Sequence, residues 1–404
     1  MLALSGYKLA HYMGSRLHAL VDPVEFTKGE WLFIEYPFPQ ARNANFIAIR
    51  PNDSDGRGFF FKQPLASNGA LSALYNESVF YETFSKHPKL SPHLLGIVHF
   101  DYSNNILVLD YRHDSFEFRD LLGTLPNPRN PTGGFLRLIA THNLAQMLRL
   151  FRHELIREKL TVTRVSGSTP DKICFIDDTK TNRCFKTFVP WILSLTDEDL
   201  LRFNQSSVDQ IKQFARLLYG KDPYGSMLTG KKVDSSLEKQ RSSGRMSLRD
   251  EITELRENWE VSHLINADAH LANIIVTDSN EIFFVDWEYA AWGDPYWDFA
   301  GILSGYFTMI RAENPVLSEV EVKSHVRMLC NIYFKDVEEA MRRRVLIKCI
   351  RYAGLWLLSE YYTWATSDDK SGNSIYQDKF RLGKKCVFEA ERILLDFNLQ
   401  TEKV

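Results

Sequence analysis

The stretch Asn266 to Ala300, NADAHLANIIVTDSNEIFFVDWEYAAWGDPYWDFA, constrains this chain more than any other. Ile274–Val276 and Ile282–Val285 are short apolar runs separated by the polar Thr277–Asn280, and a turn of that size between such runs predicts a β-hairpin. Counting back from the turn sets Asn273 opposite Phe284. Asn273 and Asp286 then lie side by side at the open end of the hairpin, with Asp268 on the loop leading in. Oxygen ligands on irregular backbone at the end of a sheet suit a hard cation such as Mg²⁺, which prefers carboxylate and carbonyl oxygens and keeps some of its waters. An Asp-x4-Asn pair alone carries no weight in a chain of this size. The weight comes from the joint arrangement: the pair, the hairpin, the carboxylate at the strand exit, then Gly293-Asp294-Pro295 and Asp298.

A metal clamp of this kind needs a partner surface, and the N-terminal part of the chain offers one. Trp31–Tyr36, Asn45–Arg50 and Gly58–Lys62 are short apolar runs between polar turns, and Ile97–Phe100 with Ile106–Tyr111 continue the pattern, which predicts a small antiparallel sheet. Lys62 follows three consecutive phenylalanines. It reads either as a lysine snorkelling from an edge strand or as a buried cation. The helix expected over Gly69–Ser85 helps to decide. At roughly 3.6 residues per turn, Ala70, Ala73, Glu77, Phe80 and Phe84 share one stripe, so Glu77 sits on an apolar face. A carboxylate aimed at a core needs a cation, and Lys62 is the nearest candidate. The first turn of the sheet, Pro37–Ala44, carries Arg42 and Asn43 but no glycine. If it covers a phosphate, side chains or a backbone nest must do the work of a Gly-rich loop.

Beyond the sheet, Arg112-His113-Asp114 reads as a hinge, with His113 an exposed hinge residue. Helices are expected over Phe116–Leu122, Phe135–Glu158, Ser207–Tyr219, Leu248–Trp259, Phe299–Arg311, Ser318–Phe334, Asp336–Thr366 and Ile375–Phe397, with a short one near Tyr7–Leu20. Asp171, Asp177 and Asp178 read as a solvated turn, and the polar Lys231–Met246 stretch as a mobile insertion. The aromatic run Tyr352, Trp356, Tyr361, Tyr362 and Trp364 reads as core packing, or as a wall for an ammonium group.

With 404 residues, 44% hydrophobic and 25% charged, the chain can bury two or three cores, and its net charge of −2 gives no pull toward nucleic acid. The five cysteines are widely spaced without a CxxC, which argues against a disulfide framework and a zinc site and fits a reducing cytoplasm. No apolar run is long enough to predict a membrane span or a secretory leader.

A small sheet bearing Lys62, a helix bearing Glu77, a hinge, and a helical part bearing Asp268-x4-Asn273 and then Asp286-Trp287-Glu288 resembles the aminoglycoside phosphotransferase and choline kinase group. That group's loop commonly reads HGDxHxxN, followed by a strand ending in DW or DWE and then GDPxxD. The resemblance runs in order and spacing from about Trp31 to Ala300. It implies a two-lobed, protein kinase-like α+β fold: a small antiparallel-sheet N-lobe over residues 1–112 that binds nucleotide, and a larger, mainly helical C-lobe over 113–404. It implies an ATP- and Mg²⁺-dependent kinase, with Asp268 as catalytic base, Asn273 and Asp286 as metal ligands, and Lys62, fixed by Glu77, on the nucleotide phosphates beside Arg42 and Asn43. The acceptor expected is the hydroxyl of a small alcohol, amino alcohol or sugar. GRGFFFKQP, Glu77 and WEYAAWGDPYWDFAG also look similar to phosphotransferases of lanthipeptide or thioamitide pathways, which implies a precursor-peptide Ser/Thr acceptor and a separate lyase as partner. The chain departs from the pattern at Asn266-Ala267, where the group has His-Gly. Asparagine can also hydrogen-bond, whereas Ala267 is expected at negative φ. The departure leaves a nucleotide-binding pseudokinase as the third reading.

Overall fold

A computed structural model of the chain describes residues 6–15, 31–36, 43–50, 57–65, 68–112, 114–123, 133–160, 185–196, 198–199, 202, 205–219, 247–310, 316–367 and 373–399. Arg42, His113, Asp171, Asp177, Asp178 and Lys231–Met246 lie outside those residues. Two compact units result: Met1–Lys186 with His263–Trp292, and Thr187–Ser262 with Gly293–Val404. The loop that carries Asp268 and the hairpin that follows it belong to the unit that holds the N-terminal sheet.

In the first unit, α1 (Gly6–Ser15) precedes an antiparallel sheet of β1 (Leu32–Tyr36), β2 (Asn43–Ile49), β3 (Arg57–Pro64), β4 (Ile97–Asp101) and β5 (Ile106–Arg112), in the order β1-β2-β3-β5-β4. Side chains alternate across a strand, so Phe46 and Ala48 of β2 and Phe61 of β3 share a face. There they form a core with Ile106, Val108 and α1 residues Leu9, Tyr12 and Met13. The same alternation sends Asn43, Asn45 and Lys62 to the other face, where Asn45 and Lys62 are register partners. α2 (Asn68–Phe84) follows β3 and buries Glu77, Phe80 and Phe84 of the expected stripe, with Ala73 half-buried and Leu74 buried in addition; the Ala70 side chain is outside what is described.

The hairpin of β8 (Ile274–Thr277) and β9 (Ile282–Phe284) is present, with a register that differs by one residue from the expected one. Ile274 pairs with Phe284, and the Val285 N–H donates to the Asn273 carbonyl, so Asn273 lies opposite Val285. The cause is Asn280, whose φ of 63° lets Thr277 N–H reach the Glu281 carbonyl at 3.0 Å around a three-residue turn. The strand β6 (Ser115–Glu117) pairs with β8, so the helix expected from Phe116 begins only at Phe118, as α3 (Phe118–Gly123). An open β8 edge would leave main-chain groups unpaired, and Ser115–Glu117 satisfies them. Two further short strands, β7 (His263–Ile265) and β10 (Ala291–Gly293), pair with each other on either side of the loop and hairpin. α4 (Gly133–Glu154) and α5 (Arg157–Leu160) complete the described helices of this unit.

The second unit is helical, with α6 (Asp209–Tyr219), α7 (Leu248–Glu257), α8 (Tyr296–Met309), α9 (Glu319–Tyr333), α10 (Glu339–Thr366), α11 (Asn373–Phe388) and α12 (Ala390–Asp396). Capping boxes at Ser247/Asp250 and Ser318/Glu321 start α7 and α9. Most of the aromatic run on α10 is core: Tyr352, Tyr361 and Trp364 are buried, while Trp356 and Tyr362 are half-buried. None of the described helices is long and apolar enough to cross a membrane.

Helices α10 and α11 pack tightly where Gly354 faces Gly383. A Cβ on Gly354 would sit 2.8 Å from the Gly383 carbonyl oxygen and 2.8 Å from Cys386 Cβ. Alanine is the better helix former by about 1 kcal/mol, but overpacking costs about 1–3 kcal/mol. Gly354→Ala is therefore expected to lower the unfolding free energy in urea titrations; a more stable variant would contradict this close packing.

Candidate active site

The site is organised around one ammonium. Lys62 Nζ lies 2.7 Å from Glu77 Oε2 and 2.6 Å from Asp286 Oδ1, so β3, α2 and the end of the hairpin meet at a single buried group. Glu288, two residues past Asp286, brings a third carboxylate: oxygens of Glu77, Asp286 and Glu288 all lie within 4.8 Å of one another. Asn43 Nδ2 donates to Glu288 Oε2 at 3.2 Å, which connects β2 to the same cluster.

The electrostatics follow from the count. Burial works against a charged Lys62, but Asp286, Glu77 and Glu288 outweigh it and hold the ammonium above its usual range. Burial lifts the Glu77 carboxyl above the usual carboxylate range, with Lys62 pulling it down and Asp286 pushing it up. Three carboxylates competing for one cation leave the lysine over-stabilised and the most buried acid under-compensated. Among the described residues, Glu77 Oε1, Asn43 Oδ1 and Asn45 Oδ1 are buried with no hydrogen-bond partner. Buried polar atoms are normally paired, so these three mark a place prepared for something else.

The catalytic-loop candidate is tied to this cluster by Asn266. Its buried amide donates from Nδ2 to the Asp286 carbonyl at 3.0 Å and accepts at Oδ1 from the Asp268 N–H at 3.1 Å. Ala267 has φ 67°, not the negative value expected, and Asp286 has φ 61°. Each costs on the order of 1–2 kcal/mol for a residue with a Cβ. Asn266 spans both strained residues, which explains how the loop keeps its shape with alanine in place of glycine. Asn273 Nδ2 donates to the Asp268 carbonyl at 2.9 Å and so closes the loop from the other side. The Asp268 carboxylate is about one-third exposed and lies 3.9 Å from His270 Nε2.

The structure thus brings Lys62, Glu77, Asp286 and Asn43 into one cluster and ties Asp268 and Asn273 to it through main-chain hydrogen bonds. Arg42 is outside the described residues. Three contributors are additional to those read from the sequence. Glu288 had a signal, since it completes the DWE triplet, and Asn266 had one as the replacement for a bracing histidine. Ala267 had one in the glycine that the resembled group carries there, which points to positive φ, and the expectation of a negative value set that signal aside. Asp294 is different in kind: it is wholly buried and accepts from Lys348 Nζ at 2.6 Å, Tyr352 Oη at 3.1 Å, Tyr296 N–H at 3.0 Å and Glu260 N–H at 3.3 Å.

Residues 229–321 match the model of the phosphotransferase enzyme family. The fold resembles the solved structure of an ethanolamine kinase from Plasmodium vivax, with 13% identity over 95% of this chain and 89% of that one at a TM-score of 0.51. It also resembles a choline kinase from Cryptosporidium parvum Iowa II, with 10% identity over 97% of each chain at a TM-score of 0.53. At such identities the likeness concerns the fold, which is the protein kinase-like α+β fold with an N-terminal antiparallel sheet and a mainly helical remainder. No curated protein matches the sequence.

The strain at Ala267 is testable. Glycine adopts φ near +67° freely. Ala267→Gly is expected to raise the unfolding free energy by about 0.5–1 kcal/mol, the strain relieved less the entropy that glycine adds to the unfolded chain. Equal or lower stability in denaturant titrations would place Ala267 outside the left-handed region.

Proposed function

We propose, from the premise that this chain is a member of the phosphotransferase enzyme family and a kinase acting on a hydroxyl acceptor, that it moves the γ-phosphate of ATP to the hydroxyl of a small molecule. The observation that carries the reading is the cluster at Lys62, joined through Asn266 to Asp268. Whether the residues fit a divalent cation can be judged from charge. Glu77, Asp286 and Glu288 set three carboxyl groups against the one Lys62 ammonium, and among the described residues Glu77 Oε1 and Asn43 Oδ1 have no other partner. Mg²⁺ fits that set, and when bound it supplies charge neutralisation for the transferring phosphoryl group.

In this reading each residue has a defined task. Lys62 has three N–H donors, of which Glu77 and Asp286 take two, and the third addresses a phosphate oxygen. Asp286 would hold the cation through its carboxylate. Asn273 uses Nδ2 on the Asp268 carbonyl, which leaves Oδ1 as its ligand atom. Asp268 accepts the acceptor hydroxyl's proton as that oxygen bonds to the γ-phosphorus and the bond to the ADP oxygen breaks. Phosphoryl transfer asks mainly for alignment and neutralisation, so this set is sufficient. A nucleotide lobe over 1–112 and an acceptor-bearing lobe over 113–404 belong to the same proposal, with Arg42 and Asn43 on the phosphate side.

The hydrogen bonds of Asn266 support turnover over the nucleotide-binding pseudokinase, because the His-Gly replacement leaves Asp268 held against the Asp286 backbone. A small alcohol, amino alcohol or sugar remains the acceptor class. The buried aromatics of α10 give little support to an ammonium wall, since Lys348 Nζ already lies 5.6 Å from the Tyr296 and Tyr352 ring centroids. The precursor-peptide alternative rests on the resemblance of GRGFFFKQP, Glu77 and WEYAAWGDPYWDFAG, and no contact among the described residues favours it over a small-molecule acceptor.

Asp268→Asn is expected to lower turnover by on the order of 10²- to 10⁴-fold with Mg·ATP binding kept. A screen of hydroxyl acceptors with labelled ATP reads it out, and an unchanged rate would remove Asp268 from the role of base. Asp286→Ala is expected to abolish the gain in nucleotide affinity that Mg²⁺ confers on the wild type. Calorimetry with and without a chelator checks this, and a retained gain would move the metal site elsewhere.

A further inference from the structure

Helix α2 meets the Asp286-Trp287-Glu288 triplet residue by residue. Glu77 reaches Asp286 through Lys62. Phe80 stacks on Trp287 with ring centroids 3.7 Å apart and planes 6° from parallel. Asn76, one turn before Phe80 on the same side of the helix, donates from Nδ2 to the Glu288 carbonyl at 3.0 Å and to the Ala290 carbonyl at 2.9 Å. Glu77 and Phe80 touch the triplet through side chains, which can rotate. Asn76 grips its main chain.

We infer that Asn76 is a positioning residue for the metal and nucleotide site: its amide fixes the backbone from Glu288 to Ala290, and through it the Glu288 carboxylate and the carbonyl-to-side-chain geometry of Asp286. Both hydrogens of the amide are used, and a carbonyl accepts only where a donor stands, so no acid or alkyl side chain at position 76 can replace it. Glu288 shows why the placement matters. Its carboxylate takes the Asn43 amide at 3.2 Å, so β2, α2 and the hairpin exit share one atom-to-atom path, Asn43 to Glu288 to Asn76. Asn76 precedes Glu77 directly, so the helix that presents the lysine's partner also holds the segment that presents the metal ligand.

This inference rests on the metal-dependent phosphotransfer proposed above, and its test separates the two. The full chain is compared as wild type, Asn76→Asp and Asn76→Ala; the alanine variant stands in if the aspartate, set against two carbonyls, does not fold. Near-UV circular dichroism establishes that each is folded. Hydrogen exchange of the unliganded proteins is read over residues 286–292, and ADP affinity is measured by calorimetry with Mg²⁺ and with chelator. The expected result is faster exchange over that segment, weakening of Mg·ADP binding by on the order of tenfold, and unchanged binding of ADP alone. A role confined to stability would leave the Mg·ADP affinity of the folded variant at the wild-type value, and that result overturns the inference, as does unchanged exchange or an equal loss with and without Mg²⁺. A wild-type protein showing no Mg²⁺-dependent gain overturns the proposed function and this inference together; a wild-type gain that the folded variants keep overturns this inference alone.

Discussion

One buried ammonium facing three carboxylates is the constraint on which the first unit depends. Lys62 is 6% exposed and Glu77 fully buried, so neither charge is screened by solvent as a surface pair would be. A buried pair of this kind persists only with close geometry and further hydrogen bonds. The sheet supplies the first by placing Lys62 on the face opposite its aromatic core, and α2 supplies the second by turning Glu77 inward between Leu74 and Phe80. Asp286 completes the contact from the hairpin. Three elements distant in sequence are thereby brought to one nitrogen atom, and their relative placement is the placement of the site.

Around that nitrogen the backbone is strained where the chemistry is expected. Ala267 and Asp286 both have positive φ, and Asn266 hydrogen-bonds next to each of them. A single buried amide that satisfies both sides of a strained pair can hold the cost of each, because relaxing either would break its bond to the other. The histidine-glycine pair of the group that the sequence resembles and this chain's asparagine-alanine pair answer the same demand, one easing the backbone and the other bracing it harder.

How much of this was legible in the sequence depended on whether the deciding contact was local. Glu77 on an apolar helical stripe needed a cation, and the inference to Lys62 followed from the cost of an unpaired buried charge. The long helices were legible from their period. The hairpin was legible but its register was not, since that turned on Asn280 entering the left-handed region, a choice that Asn makes more readily than most residues yet not always. Strands of three residues, Ser115–Glu117, His263–Ile265 and Ala291–Gly293, were missed because their pairing is set by partners far along the chain rather than by any alternation of their own. Asn76 carried no signal at all: a polar residue beside Glu77 on a helix reads as solvent-facing until the main chain of Glu288 is placed against it.

Two buried carboxylate-lysine contacts in this protein show how a structural motif and a functional one can be told apart without a bound ligand. Asp294, within the Gly-Asp-Pro segment, has one carboxylate facing Lys348, a tyrosine hydroxyl and two main-chain N–H groups, so its oxygens are fully provided for. Its charge is spent on holding the start of α8, and little is left with which to bind anything. The Lys62 cluster is the reverse. Among the described residues it has more acids than cations, an unpartnered oxygen on Glu77 and an unpartnered amide oxygen on Asn43. Leaving such groups buried is costly, by about 1–3 kcal/mol for each unsatisfied polar atom, and a fold that carries several at one point is under-saturated there. Under-saturation, more than burial or motif, is what sets the cluster of Lys62, Glu77, Asp286 and Glu288 apart from Asp294 and supports the proposal that a nucleotide and its cation bind there.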